Sequence, residues 1–256
     1  MRFAAVALLA VAAAFGLVEV LGTGGRAAHA RHARRPAPSR RRVTVVRLGR
    51  SARGRPIDAV HIGNGGRADL LVVGCVHGDE PAGIAVTRRL RRTLLKRSAD
   101  AWLVDDLNPD GRAAGTRVNG RGVDLNRNFP WRWRRLFRRG DPEYPGPRAL
   151  SEPESRAAAR LIERVRPRIS IWFHQPLGLV DRSAPPDKSG VGAGVERHFS
   201  RLSGLPLRRL TRYPGSAVGW EDHVLRGSTA FVVELPPGHL RPRATERLTR
   251  AVAALT

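Results

Sequence analysis

Leu70-Leu71-Val72-Val73-Gly74-Cys75-Val76-His77-Gly78-Asp79-Glu80 passes from unbroken apolarity into a charged turn. A run without alternation reads as a strand covered on both faces, the kind found inside a parallel sheet. Pro81 follows, and Ile84, Thr87, Leu90 and Leu94 then recur along one side of a helix. Ligands of open α/β sheets collect beyond the carboxyl ends of the strands, which is where His77 and Glu80 fall.

Outward from this unit the alternation continues. Residues 43–48 and 57–62 read as strands joined by a Gly/Arg turn, and 101–107 as a further strand. Asn108-Pro109-Asp110-Gly111 is a strong turn signal. Residues 112–150 hold little periodic pattern, and a segment of that kind inside a compact domain is usually functional or disordered. Ser151 and Glu154 are spaced as a capping box and open a helix that runs to about Arg166, where Pro167 stops it. Strands over 169–173 and 229–235 and helices over 195–202 and 240–255 complete the pattern. The reading is a single α/β domain over 43–256: a mixed, mostly parallel twisted sheet with helices on both faces. No internal repeat is present.

Three polar clusters fall at strand ends: His77 with Glu80, His174, and Glu234. Two histidines and a glutamate form a recurrent catalytic zinc set that leaves a fourth position open. Zinc lowers the pKa of bound water toward about 7 and polarises a carbonyl oxygen. A separate carboxylate must then take the proton of that water and pass it to the leaving amine, and Glu234 is the natural candidate. Alone, an H-x-x-E is weak, since surface residues at a helix start give the same pattern.

The segment Asn108-Pro109-Asp110-Gly111 … Arg117-Val118-Asn119-x-x-Gly122-Val123-Asp124-Leu125-Asn126-Arg127-Asn128-Phe129 changes the odds. With His77-Gly78-Asp79-Glu80 upstream, it resembles the zinc carboxypeptidase family from Gly54-Arg55-Pro56-Ile57 to Glu234. The resemblance implies one Zn2+ held by His77, Glu80 and His174, with Glu234 as general base and proton shuttle. Arg117 matches the oxyanion-stabilising arginine. Asn126 and Arg127 match the pair that grips a terminal carboxylate, and Asp124 the carboxylate that orients His77. Tyr213 matches either the mobile active-site tyrosine or a structural loop residue. Asp79 departs from the arginine that digestive members carry there, which argues against ordinary peptide-chain binding at that subsite. The short span from Glu80 to His174, Tyr144-Pro145-Gly146, and Glu234-Leu235-Pro236 look like the bacterial murein peptide amidase branch. That branch implies hydrolysis of the γ-D-glutamyl–meso-diaminopimelate bond of peptidoglycan stem peptides. Three other readings stand beside it: a generic metallocarboxypeptidase, an aspartoacylase/succinylglutamate desuccinylase-like deacylase, and a non-enzymatic basic wall-binding protein.

The first thirty residues stand apart. Met1-Arg2 supplies a positive start, residues 3–18 are almost wholly apolar, and Ala28-His29-Ala30 offers a small-x-small cleavage site. This reads as a signal peptide cleaved near Ala30, with an uncleaved membrane anchor as the alternative; both place the domain outside the cytoplasm. Residues 31–42 read as a basic, proline-containing disordered linker. The net charge of +24 is almost all arginine, with lysine only at Lys96 and Lys188, and is spread widely rather than gathered in one aromatic-laced stripe. It therefore argues against specific nucleic-acid binding and for association with anionic wall polymers. Cys75, the sole cysteine, reads as a buried inert thiol. His61, His198, His223 and His239 read as surface or capping histidines, Trp131 and Trp133 as packing residues, and Glu221 and Asp222 as solvent-facing on a short helix.

Overall fold

The computed structural model describes residues 42–182, 191–211 and 213–256. The expected signal segment and all of the basic linker but Arg42 lie outside the described residues. Among the described residues, no helix is long and apolar enough to cross a membrane.

One eight-stranded sheet organises the domain. Its strands are β1 (Arg42–Arg50), β2 (Pro56–Gly63), β3 (Leu70–Val73), β4 (Ala101–Val104), β5 (Ile169–His174), β6 (Leu179–Asp181), β7 (Leu207–Arg208) and β8 (Thr229–Glu234), ordered β1-β2-β4-β3-β5-β8-β6-β7. The four central strands, β4, β3, β5 and β8, run parallel, while β1, β2 and the β6–β8 contact are antiparallel. The helices are α1 (Gly83–Leu94), α2 (Pro109–Ala114), α3 (Pro153–Val165), α4 (Val191–Ser203), α5 (Ala217–Val224) and α6 (Pro242–Ala253).

Alternation along the buried strands explains the layers. Leu70, Val72, Ile171 and Phe173 face one side with Leu90 of α1, Phe199 of α4 and Val252 of α6. Leu71, Val73 and Trp172 face the other, with Ile162 of α3 and Trp220 of α5. Successive strand residues point to opposite faces, so a continuous apolar run is what two covered faces require. The mixed, mostly parallel sheet read from the sequence is the observed one.

The sequence reading is corrected in places. Asn108 to Gly111 is not a free turn: Asn108 caps α2, its side chain accepting from the Gly111 N–H, with Pro109 in the first turn. The capping box at α3 does not form. Glu152 is the cap residue and makes no side-chain cap bond, because the box residues bond elsewhere. Ser151 accepts from Asn128, and the Glu154 carboxylate takes the Ala52 N–H and the Asn119 amide. Glu221 and Asp222 do not face solvent; both are buried on α5, against β5 and β8. The strand read over 101–107 ends at Val104. Strands β6 and β7 were not expected.

Candidate active site

Three strand ends and one loop build the site. Beyond β3 the chain turns sharply, the Glu80 N–H donating to His77 O at 3.0 Å, which brings both side chains to one side. Gly78 permits this turn to lie directly on α2, since a Cβ there would sit 1.9 Å from the Gly111 backbone. His174 ends β5 and Glu234 ends β8, and parallel pairing sets these two residues side by side. Arg117 to Phe129 then crosses the strand ends as an irregular loop.

Loop order comes from side chains bonding backbone. Asn119 accepts from the Arg121 and Val123 N–H groups and donates to Glu152 and Glu154. Asn128 donates to Pro145 O, Arg148 O and Ser151 and accepts from the Glu152 N–H, pinning the following segment. Asp124 accepts from the Asn126 N–H at 2.8 Å and opens a single 3-10 turn, Leu125–Arg127. Opposite this turn is Gly215, at a positive φ of 73°, where a Cβ would lie 2.1 Å from Arg127 O.

His77, Glu80 and His174 converge, one ligand atom from each lying within 4.8 Å of the others. The His77 and His174 Nδ1 atoms are 3.1 Å apart, and each lies 3.0 Å from a Glu80 oxygen. The other nitrogen of His77, Nε2, meets Asp124 Oδ1 at 3.0 Å, which fixes the ring and leaves Nδ1 facing inward. Two imidazole nitrogens and one carboxylate aimed at a common point fit a single zinc ion with an open position. A proton between them can satisfy only one pair at a time, whereas a cation satisfies all three.

Charge is distributed unevenly around this point. Burial opposes ionisation of Glu80, yet His174 and His77 outweigh it and hold its pKa well below the ordinary carboxylate range. Burial likewise opposes ionisation of Asp124, and His77, Arg117 and Arg127 hold it low. Arg117 bridges the two carboxylates, Nη1 to Glu80 at 3.1 Å and Nε to Asp124 at 3.0 Å. Burial opposes a charged ring at His77, but Asp124 and Glu80 raise its pKa; at His174 burial prevails and the pKa falls. Glu234 differs. Burial, assisted by the charge of Glu80, pushes its pKa up to about 7.

The cavity over this cluster holds about 320 Å³ and contains His77, Glu80, Arg117, His174 and Glu234 together with Asn126, Arg127 and Tyr213 in its lining. Asn126 accepts from the Ala217 N–H, which ties the loop to α5. Arg127 lies with its guanidinium carbon 4.2 Å from the centre of the Tyr213 ring, a cation–π contact that steadies the fork. Glu234 Oε2 and Arg127 Nε are buried without a hydrogen-bond partner among the described residues. Every residue singled out from the sequence as catalytic, metal-holding or substrate-binding therefore reaches the same cavity, and Asp124 reaches the back of His77.

Two contributors were missed. Gln175 donates its N–H to Glu80 Oε2 and accepts from the Ala82 N–H, holding the ligand turn against β5; its adjacency to His174 was the signal available. Asp181 lines the cavity from β6, a strand too short to show a period. The remaining candidates are structural. Cys75 is buried, with burial raising its thiol pKa far above the ordinary range. His61 stacks on Trp102 and bonds Asp100, His223 stacks on Trp131, and the Trp133 indole donates to Pro145 O. Asp79 is exposed.

Comparison with known proteins agrees with this geometry. Residues 33–179 match the family model described as zinc carboxypeptidase. Murein peptide amidase A of Escherichia coli is 33% identical over 203 residues, covering 74% of this chain and 80% of the relative. The Vibrio campbellii protein of that name is 31% identical over 208 residues, 76% of this chain and 80% of the relative. The crystal structure of murein-tripeptide amidase from Escherichia coli O157 superposes with a TM-score of 0.65 at 29% identity, covering 82% of this chain and 90% of that one. The chain belongs to the zinc carboxypeptidase family and is a zinc-dependent hydrolase acting on peptides.

Proposed function

We propose that this hydrolase cleaves the amide between γ-D-glutamate and meso-diaminopimelate in peptidoglycan stem peptides. The observation that carries the mechanism is the register of β5 and β8, which sets Glu234 beside His174 with one carboxylate oxygen buried and unpartnered among the described residues. His77, Glu80 and His174 would hold the zinc, which supplies polarisation of the carbonyl oxygen and activation of water. Glu234 takes a proton from the attacking water as its oxygen bonds to the carbonyl carbon. It returns that proton to the amide nitrogen as the C–N bond breaks, leaving a carboxylic acid and a free amine. Burial, which raises the pKa of Glu234 above the ordinary carboxylate range, makes it readier to accept the proton that it later returns. Arg117, held by Glu80 and Asp124, faces the charge that develops on the carbonyl oxygen. Arg127 and Asn126 take the free carboxylate beside the scissile bond, where a guanidinium fork gives direction as well as attraction.

The choice of amide is supported by the likeness to murein peptide amidases over most of both chains. Action outside the cytoplasm, after removal of residues 1–30, and attraction of the arginine-rich surface to anionic wall polymers belong to the same reading. The deciding experiment incubates zinc-loaded protein with L-Ala-γ-D-Glu-meso-diaminopimelate and with ordinary C-terminal peptides. Release of diaminopimelate is expected; its absence alongside trimming of ordinary peptides would sink the substrate assignment. N-terminal sequencing of the protein recovered from the culture medium checks export, with a start near residue 31 as the expected result.

A further inference from the structure

One stretch departs from the wide spread of arginine over the chain. Trp131-Arg132-Trp133-Arg134-Arg135-Leu136-Phe137-Arg138-Arg139 interleaves guanidinium groups with apolar side chains, and the mechanism above uses none of them. The segment leaves the catalytic loop just after Phe129, forms no helix or strand, and is pinned by bonds to its neighbours. Trp131 O accepts from the Gly215 N–H, the Trp133 indole donates to Pro145 O, and Arg135 donates to Pro147 O. Trp131 packs on the core layer that contains α5, where a Cβ on Gly219 would lie 3.6 Å from its ring. Gly219 lines the catalytic cavity, so the segment flanks the cavity on its α5 side.

The charge of this stretch is not neutralised within the domain. Another dense run, Arg88 to Arg92 on α1, largely is: Arg88 and Arg91 reach Asp105, and Arg89 reaches Glu246. Arg132, Arg134, Arg135, Arg138 and Arg139 are all exposed, and none pairs with a carboxylate among the described residues. Asp141 takes the Arg138 backbone N–H instead. Among them stands Leu136, 53% exposed, with Trp131, Trp133 and Phe137 half-buried. Guanidinium groups around an exposed apolar side chain suit a surface that is anionic at the top and hydrocarbon beneath. A soluble polyanion would meet the arginines but give Leu136 nothing to enter. Single-stranded nucleic acid needs free ring faces. Here the Trp131 ring is stacked on His223, 3.4 Å between centres, and Arg132 lies over it at 5.5 Å.

We infer that residues 131–139 form a docking surface for an anionic lipid bilayer. Headgroup phosphates meet the arginines, Leu136 enters the boundary of the acyl chains, and the half-buried indoles lie at the level of the headgroups. The cavity beside the segment is thereby held close to the bilayer. Docking of this kind is independent of which amide the cavity hydrolyses.

Residues 40–256 form one compact unit that contains both cores, so this chain is tested without the apolar first thirty residues. Co-sedimentation is measured with vesicles of phosphatidylcholine alone and of phosphatidylcholine and phosphatidylglycerol mixed about seven to three. Salt is kept at about 0.1 M, where charges are screened beyond ~10 Å. Association with the anionic vesicles only is expected. Each arginine near such a surface contributes roughly fivefold to binding, so Arg134→Gln/Arg138→Gln should lose about 25-fold. A charge-matched control, Arg243→Gln/Arg250→Gln on α6 at the opposite face of the sheet, should lose no more than a few-fold. Leu136→Ser should lose roughly 5- to 10-fold. None of the replaced side chains makes a hydrogen bond or ion pair among the described residues, so the variants should keep the wild-type circular dichroism. A wild type that ignores anionic vesicles overturns the assignment. So does an equal loss in the control, which would mean attraction by net charge alone. Undiminished binding by Leu136→Ser overturns entry into a bilayer. A single-stranded oligonucleotide that displaces the wild type from the vesicles, and whose own binding needs Arg134 and Arg138 but not Leu136, assigns the surface to nucleic acid instead.

Discussion

Burial acts on four carboxylates of this domain with opposite results. Glu80 and Asp124, beyond the end of β3, are held ionised, whereas Glu234 and Glu221, at the end of β8 and on the helix packed against it, are pushed up to about 7. Desolvation raises all four. The first pair is met by hydrogen bonds with His77 and His174 and by the charge of Arg117, and together these overcome it. The second pair meets no cation at hydrogen-bonding distance among the described residues: Glu221 bonds Ser170 and the Trp172 indole, and Glu234 has a buried oxygen with no bond. A carboxylate supplied with hydrogen bonds and a cation is suited to holding a metal or a histidine. One buried without a cation is suited to carrying a proton. The division of labour in the cleft thus follows from which neighbours the fold supplies.

The comparison is broken most directly at Glu234. Glu234→Gln keeps the shape and removes the carboxyl proposed to carry the proton, so kcat should fall about 10²- to 10⁴-fold. Zinc content measured by elemental analysis should stay at one per chain, because Glu234 is not among the three converging ligands. Turnover within a few-fold of wild type would remove Glu234 from the proton-transfer role. The ionised side is sharpened at Asp124. Asp124→Asn still reaches His77 but loses the charge that fixes its tautomer, and zinc affinity should drop roughly 10- to 100-fold in a chelator competition. Equal affinity in the two proteins would show that Asp124 serves the loop alone.

How much of this the sequence disclosed depends on the physical origin of each feature. Strands β3, β5 and β8 and the helices α1 and α6 were legible because burial on one or two faces leaves a periodic or unbroken apolar trace. His77, Glu80, His174 and Glu234 followed, since they stand at the ends of those strands. Arg117, Asp124, Asn126 and Arg127 were reached only through family resemblance. Their loop is ordered by Asn119 and Asn128 bonding backbone groups within the loop and beyond it, and such bonds leave no period. Ser151 and Glu154 misled for a related reason: a local capping pattern lost to tertiary partners more than 20 residues away. Strands of two or three residues, β6 and β7, are too short for alternation to register, and Asp181 was hidden with them.

Glu221 is the clearest case in which sequence and structure part, and it gives the smallest of the expected effects. A short polar stretch, Glu221-Asp222-His223, reads as solvent-facing, yet α5 is covered, with Glu221 fully buried. Its pKa rises from an ordinary 4.5 to about 7, with burial as the cause and the Ser170 and Trp172 bonds opposing it. The folded state therefore binds this proton more tightly than the unfolded chain. The associated stability is fully present below about pH 4.5 and is lost as pH rises through about 7. The loss for this group is at most roughly 3 kcal/mol. Glu221→Gln mimics the protonated form, its amide donating to Ser170 and its oxygen accepting from the indole. Denaturant unfolding of both proteins at pH 5.5 and 8.5 should show the variant losing less stability over that interval. Parallel pH profiles would mean that Glu221 is solvated in solution or held ionised, and would leave Glu234 alone on its side of the comparison.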